Sequence, residues 1–172
     1  MATALYYTHR QGFVHNDIKP SNILYSRVRG AALIDFGIST ELTERGVHAG
    51  GTPWYVPPEF GRGGKRGPPG DVFALGVVTL YVLGKLPLPE LYAPRLQWRI
   101  ADVLKPKSGA ARAMGEWQEI VQQASKLLDG ASSELEASVK LTVERDPGER
   151  ISLDSLVIRS SAHASKGEPE RK

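Results

Sequence analysis

The 172-residue sequence has no cysteine and little net charge. Without cysteine the chain can form neither disulfides nor thiolate metal sites, and a reducing compartment is compatible with its composition. A formal net charge of +3 is too small to indicate nucleic acid as a partner. Because 41% of the residues are hydrophobic, enough for a real core, we expect one folded domain rather than a disordered chain.

Long hydrophobic runs are also missing. The longest, residues 71–85, is shorter than the roughly 18–20 residues that a membrane span needs. A helix of that length that is apolar on nearly every side is typical of a buried core. The first fifteen residues lack a basic head followed by an apolar block, so no signal peptide is predicted. We therefore expect an intracellular protein, cytoplasmic or nuclear, that does not contact membranes.

The pattern of the chain predicts a few short strands followed by mostly helix. Strands are predicted for residues 12–15, 22–26 and 31–36. Helices are predicted for residues 3–10, 71–84, part of 91–104, 111–128, 132–145 and 152–159. Residues 37–58 carry loop-forming residues without a period, and the polar residues 159–172 are expected to form a disordered tail.

The segment "GRGGKRGPPG", residues 61–70, is rich in glycine and positive charge. Such a segment could bind phosphate or RNA. It has no aromatic side chain on which bases could stack, however, so a solvated loop is the favoured interpretation. We expect no nucleic-acid partner.

Chemically useful side chains are concentrated in the 21 residues from His15 to Asp35. Asp17 and Asp35 supply carboxylates, Asn22 supplies an amide oxygen and Lys19 supplies a cation. Hard oxygen ligands suit Mg²⁺, which usually arrives with substrate phosphates. A cation suits a phosphoryl group in transfer, and a separate carboxylate suits the hydroxyl that attacks it. The parts of a phosphoryl-transfer site are therefore present within this window.

Five motifs of the chain resemble the C-terminal lobe (C-lobe) of eukaryotic protein kinases, in the order and at the intervals of that family. They are "HNDIKPSN" (15–22), "DFG" (35–37), "GTPWYVPPE" (51–59), "GDVFALGV" (70–77) and "ERDPGER" (144–150). The first resembles the catalytic loop, the second the metal-binding loop and the third the end of the activation segment. The resemblance covers roughly residues 4–158, and Lys19 with Gly51–Thr52 follows the serine/threonine variety.

The resemblance implies an α+β fold, a kinase-like C-lobe that is mainly α-helical with a few short strands, over residues 1–158. It implies ATP and Mg²⁺ as cofactors and a protein as substrate. Asp17 and Lys19 would be catalytic, with Asp17 orienting the substrate hydroxyl. Lys19 would hold the γ-phosphate, Leu24 would lie under the adenine, and Asn22 and Asp35 would bind Mg²⁺.

Further roles implied by the resemblance are structural. His15, Phe36 and Asp71 would stack in the spine of the lobe. Glu59 and Arg150 would form a buried ion pair. A competing interpretation of His15 as a metal ligand is disfavoured, because no second histidine lies at ligand spacing.

The chain also departs from the family pattern. Asn16 stands where many kinases have the arginine that meets a phosphorylated activation loop, so phosphate-dependent activation is not expected. The loop hydroxyls of Ser39, Thr40 and Thr43 could be phosphosites, but ordinary loop residues are favoured. Pro57 replaces the alanine of the family's "APE" motif. Upstream of His15 we find none of the N-terminal lobe (N-lobe) motifs, neither the glycine-rich loop nor the strand lysine.

Three functions therefore remain open at this point. The chain could be part of a serine/threonine kinase that is weak or inactive by itself. It could be a catalytically silent, kinase-like binding module, or an incomplete form of an ordinary active kinase. Its partner would be a protein substrate or a protein that bears an N-lobe.

Overall fold

The computed structural model describes residues 1–44, 50–63, 66–92, 98–105, 107–131 and 133–166. The helices are α1 (Ala2–Arg10), α2 (Pro68–Val82), α3 (Pro89–Tyr92), α4 (Ile100–Val103), α5 (Gly109–Lys126), α6 (Glu134–Thr142) and α7 (Leu153–Lys166). The strands are β1 (Phe13–Val14), β2 (Ile23–Ser26), β3 (Gly30–Leu33) and β4 (Thr40–Glu41). The described fold is thus mainly helical with a few short strands, as the sequence predicts.

The four strands form two antiparallel pairs. β2 pairs with β3 as a hairpin, with Ile23 opposite Leu33 and Ser26 opposite Gly30. β1 pairs with β4, which lies in the segment predicted to be loop. The prediction missed β4 because two residues are too few to show an alternating pattern. The strand predicted for 31–36 ends at Leu33, since the chain then turns into "DFG".

Helix α2 forms the centre of the core, as its apolar composition predicts. Ten of its fifteen residues are buried, among them Phe73, Val77 and Leu80. It begins at Pro68 rather than at the predicted Asp71, because Pro68 and Pro69 occupy the first helical positions, where proline's missing N–H is not needed.

A close helix crossing depends on Gly76 of α2. A Cβ atom built there would lie 2.0 Å from Oγ1 of Thr142 and 2.6 Å from Cγ1 of Val143. Only glycine lets α2 and the end of α6 approach this closely without a shift.

Trp117 of α5 joins the second half of the core to the first. Its side chain is fully buried, and its indole N–H donates to the carbonyl oxygen of Trp54 over 2.7 Å. The rings of Trp54 and Trp117 pack edge to face with centroids 5.3 Å apart. Trp117 therefore belongs to the core.

The remaining helices differ from prediction chiefly at their ends. The helix expected within 91–104 is present as α4, preceded by the single turn α3. Ser133 precedes α6, and the Ser152 hydroxyl accepts the Ser155 N–H at the start of α7. Helix α7 continues through residues 159–166, which the sequence places in a polar tail, and residues 167–172 lie outside the described ranges. None of the helices in the described ranges combines the length and apolar composition that crossing a membrane requires.

Candidate phosphoryl-transfer site

The β2–β3 hairpin determines where the two predicted Mg²⁺ ligands lie. Asn22 immediately precedes β2 and Asp35 follows β3 by two residues. The backbone N–H of Ile34 donates to the carbonyl oxygen of Asn22 over 3.0 Å, which extends the ladder by one pair. The hairpin register therefore carries Asn22 and Asp35 to the same end of the sheet.

Asp17, Lys19 and Asn22 form one hydrogen-bonded cluster. The ammonium of Lys19 lies 2.7 Å from Oδ2 of Asp17, and Nδ2 of Asn22 donates to the same oxygen over 3.1 Å. Asn22 also donates to the Asp17 carbonyl oxygen over 2.9 Å. The three residues that the sequence assigns to one phosphoryl-transfer site thus lie in contact, while their catalytic and binding roles stay predictions.

Thr52 completes the cluster from a distant segment. Its hydroxyl donates to Oδ1 of Asp17 over 2.9 Å and accepts from the Lys19 ammonium over 3.0 Å. Both carboxylate oxygens of Asp17 are therefore engaged, one by Thr52 and the other by Lys19 and Asn22. This arrangement fixes the carboxylate in a single orientation, which a base that must meet a substrate hydroxyl requires.

The backbone of the loop is held by a buried carboxylate. Asp71, at the first turn of α2, accepts the N–H of His15 over 2.7 Å and the N–H of Asn16 over 2.8 Å. Nε2 of His9 in α1 lies 2.9 Å from the same carboxylate. The Asp71 side chain is 2% exposed. One carboxylate thus ties the loop to α1 and α2, immediately before Asp17.

His15 has a structural role. Its side chain is fully buried, its Nε2 lies 3.1 Å from the carbonyl oxygen of Ile34, and its ring centroid lies 4.8 Å from that of Phe36. The ring of Phe36 packs on His15, as the family resemblance implies, whereas Asp71 contacts His15 through the backbone N–H of the histidine. Because Nε2 already faces a carbonyl oxygen, the metal-ligand interpretation of His15 receives no support.

The donor set at the hairpin end fits a magnesium ion that arrives with phosphates. The Asp35 carboxylate is exposed and accepts the Gly37 N–H over 3.2 Å. Asp35 adopts φ +63°, a left-handed conformation that Asp tolerates better than most residues. Within the described ranges, no three His, Cys, Asp or Glu side chains converge as a metal site. A hard cation here would hence take one carboxylate and one amide oxygen, and phosphate and water oxygens would supply the rest.

Exposed apolar side chains lie on the hairpin and just after it. Leu24, the predicted floor of the adenine site, is 55% exposed, and Phe36 is 48% exposed. Tyr25 and Val28 are exposed further along the hairpin. The exposed apolar side chains of Leu24 and Phe36 leave room for a ligand or a partner at this end of the hairpin.

The predicted pair of Glu59 and Arg150 is confirmed. Nη1 and Nη2 of Arg150 donate to Oε1 and Oε2 of Glu59, each over 2.6 Å. The same guanidinium donates to the carbonyl oxygens of Pro69, Glu144 and Arg145, and it lies over the ring of Phe73. The Arg150 side chain is 1% exposed and that of Glu59 is 21% exposed. This pair ties the end of the activation segment, here residues 37–59, to the late helices.

Asn16 faces the start of the activation segment. Its Nδ2 donates to the Ile38 carbonyl oxygen over 3.0 Å and to the Thr40 hydroxyl over 2.9 Å. Thr40 is buried and Thr43 is exposed. Asn16 therefore holds the segment through neutral hydrogen bonds.

Sequence reasoning missed two residues near Asp17. Thr52 was identified only as part of a motif, and the Gly51–Thr52 pair was the signal that could have assigned it. Arg66 was assigned to a solvated loop, and this was wrong: its guanidinium packs at the Phe60 ring and donates to the carbonyl oxygen of Asn16. Burial lowers the pKa of Arg66, and the negative charges of Asp71 and Asp17 offset this effect only in part. A local sequence rich in glycine and charge gives no indication of such a distant contact.

The family model described as protein kinase domain matches residues 1–160. The serine/threonine-protein kinase ppk34 of Schizosaccharomyces pombe is 30% identical over 162 residues, which are 91% of this chain and 40% of that protein. Serine/threonine-protein kinase PknL of Mycobacterium tuberculosis is also 30% identical over 162 residues, 91% of this chain and 36% of that protein. A calcium/calmodulin-dependent protein kinase kinase, cmkC of Emericella nidulans, is 29% identical over 160 residues, 87% of this chain and 27% of that protein. The chain thus spans less than half the length of each of these relatives.

Proposed function

Since this chain belongs to the protein kinase domain family, we propose that it supplies the catalytic-loop side of a serine/threonine kinase, its C-lobe. The reaction would be ATP-dependent phosphoryl transfer to protein hydroxyls. The observation that carries the proposal is the fixed Asp17 carboxylate, held by Thr52, Lys19 and Asn22. A site that has become purely structural does not need a carboxylate oriented by three separate side chains.

Each residue of the cluster has a proposed task. Asp17 orients the substrate hydroxyl and accepts its proton, which is general-base work. Lys19 places its ammonium where the phosphoryl group carries negative charge. Asn22 and Asp35 would hold Mg²⁺, which when bound neutralises phosphate charge. Leu24 offers an apolar surface for the base of the nucleotide.

We further propose that the described residues form only one side of the nucleotide site. Leu24 and Phe36 are half exposed, so in the described ranges nothing closes over an adenine at this point. A nucleotide left this open stays hydrated, and its γ-phosphate is not held in line with a hydroxyl. The other side would come from an N-lobe, carried by a longer form of the chain or by a partner protein.

The test measures phosphate incorporation from ATP into a basic protein. The purified chain is expected to give no turnover above an Asp17→Ala variant. With a separately expressed kinase N-lobe, association of the two is first established by gel filtration. Turnover is then expected to exceed that of Asp17→Ala by about 10²–10⁴-fold, the usual contribution of a general base.

An associated pair without turnover would contradict the proposal and favour the catalytically silent binding module. That alternative has one observation on its side, the exposed apolar side chains of the β2–β3 hairpin, which suit a protein partner whether or not chemistry occurs. Full turnover by the chain alone, near the roughly 1–100 s⁻¹ of kinases, would instead contradict the one-sided site.

We call the chain associated with an N-lobe the two-lobe form. Its activity is expected to be independent of phosphate on the activation segment. Asn16 is uncharged and lacks the guanidinium that grips a phosphate. Phosphatase treatment should therefore leave turnover unchanged, with mass spectrometry verifying the absence of phosphate. A large and reversible loss that maps to Ser39, Thr40 or Thr43 would contradict this expectation.

A further inference from the structure

Arg66 joins two segments that the proposed chemistry needs. It lies between the short helical turn Pro58–Arg62 and the start of α2. Its Nη1 donates to the carbonyl oxygen of Asn16 over 2.5 Å, and its Nη2 donates to the carbonyl oxygen of Gly50. One guanidinium therefore bridges the backbone of the catalytic loop to that of the activation segment.

The guanidinium is packed as well as hydrogen-bonded. Its central carbon lies 5.0 Å from the centroid of Phe60, a ring that is fully buried. Such stacking on an aromatic face fixes the plane of the guanidinium, and with it the directions of its N–H groups. The two bonds to Asn16 and Gly50 are hence pre-organised by a rigid support.

The backbone makes room for this side chain at Gly51. Its φ of +101° is a conformation that side chains with a Cβ rarely adopt. A Cβ there would also lie 2.9 Å from Nη1 of Arg66 and 3.0 Å from the carbonyl oxygen of Asn16. Two features therefore require glycine at position 51: its backbone conformation, and the lack of space for a Cβ beside the Arg66 guanidinium.

The bridge ends next to the candidate base. Gly50 precedes Thr52 by two residues, and the Thr52 hydroxyl donates to Oδ1 of Asp17. Asn16 is the direct neighbour of Asp17 in the chain. Besides Asp71, Lys19 and Asn22, Arg66 therefore supports two further groups beside Asp17, the backbone of Asn16 and the segment that carries Thr52.

We propose that Arg66 is a positioning residue that fixes the activation segment against the catalytic loop and so orients Asp17 without a phosphate. The proposal rests on the proposed kinase function. Asn16 holds the first part of the segment through Ile38 and Thr40, and Arg66 holds the later part at Gly50. Hydrogen bonds from Asn16 and Arg66 to neutral groups thereby hold the activation segment in place, which an ion pair with a phosphate would otherwise do.

The first test needs no catalysis. Hydrogen–deuterium exchange is measured on the complete chain for the wild type and for Arg66→Ala, with Arg62→Ala as the matched control, since Arg62 is an exposed arginine of the same segment. We expect exchange at Gly51–Thr52 and at Asn16–Asp17 to rise at least about tenfold in Arg66→Ala, with exchange in α5 unchanged. Unchanged exchange at those amides, or an equal rise in α5, would overturn the proposal.

Two further variants keep the test decisive if Arg66→Ala folds poorly. Arg66→Lys retains the charge, but its single ammonium nitrogen replaces the two guanidinium nitrogens that bond Asn16 and Gly50. Most of the rise in exchange seen in Arg66→Ala is therefore expected in Arg66→Lys as well. Gly51→Ala should produce the same local rise. Gly30→Ala, which also has positive φ but nothing within 4 Å of its Cβ, should not. A wild-type pattern in both Arg66→Lys and Gly51→Ala would overturn the proposal.

Kinetics in the two-lobe form separate this proposal from the function it rests on. Arg66→Ala is expected to lower kcat at least about tenfold with KM for ATP little changed, because the base is misplaced while the nucleotide surface is intact. Arg62→Ala should match the wild type. Local exchange that rises without a fall in kcat would overturn the positioning role and leave the kinase function standing. If even the wild type shows no turnover, the kinase function fails, and with it the orienting role of Arg66.

Discussion

Replacing Glu59 with alanine is expected to lower the free energy of unfolding by about 3–5 kcal/mol, the usual consequence of leaving a buried charge without its partner. Arg150 would keep its carbonyl partners at Pro69, Glu144 and Arg145 but would lose both charge-assisted bonds. The Arg150 side chain is 1% exposed, so its charge is satisfied almost wholly by these protein groups. Urea denaturation of the variant and the wild type measures the difference.

The control for Glu59→Ala is an ion pair at the surface. The pair of Asp102 and Lys105 is exposed, with side chains 35% and 71% accessible. Asp102→Ala should therefore lower the free energy of unfolding far less than Glu59→Ala does, because an exposed ion pair contributes little to stability. A loss for Glu59→Ala that is no larger than the loss for Asp102→Ala would show that the pair contributes like a surface contact.

Asp71→Ala is expected to lower the free energy of unfolding by about 2–5 kcal/mol and to abolish turnover in the two-lobe form. The substitution leaves the buried backbone N–H groups of His15 and Asn16 without an acceptor, at about 1–3 kcal/mol each. It also releases His9 from the carboxylate. The loop that carries Asp17 would lose its anchor, and catalysis that depends on position is sensitive to shifts of about 1 Å.

Asp154→Ala provides the matched control for Asp71→Ala. Both aspartates lie in the first turn of a helix, Asp71 in α2 and Asp154 in α7, but Asp154 is exposed. Interaction with the helix dipole alone contributes about 0.3–1 kcal/mol at an exposed position. Equal losses in the two variants would mean that Asp71 acts through the helix dipole and does not anchor the catalytic loop.

The sequence alone determined the features that depend on local pattern or on a motif. The apolar composition of residues 71–84 predicted a buried helix because nearly every side of it must avoid water. The motif around Asp17 predicted that Lys19 and Asn22 belong to the same site, since all three residues lie within six positions of the chain. The pairing of Glu59 with Arg150 followed from two motifs, although 91 residues separate them.

Only the tertiary structure decided the features in which one residue meets a partner that no pattern specifies. Arg66 lies in a segment whose glycines and charges resemble a solvated loop. It is packed against the core because Phe60 offers a ring face and because Asn16 and Gly50 present carbonyl oxygens nearby. Thr52 likewise bonds Asp17 only because the fold brings together two residues that are 35 positions apart in the chain. Such contacts depend on where the chain brings distant backbone groups, and neither composition nor periodicity encodes that placement.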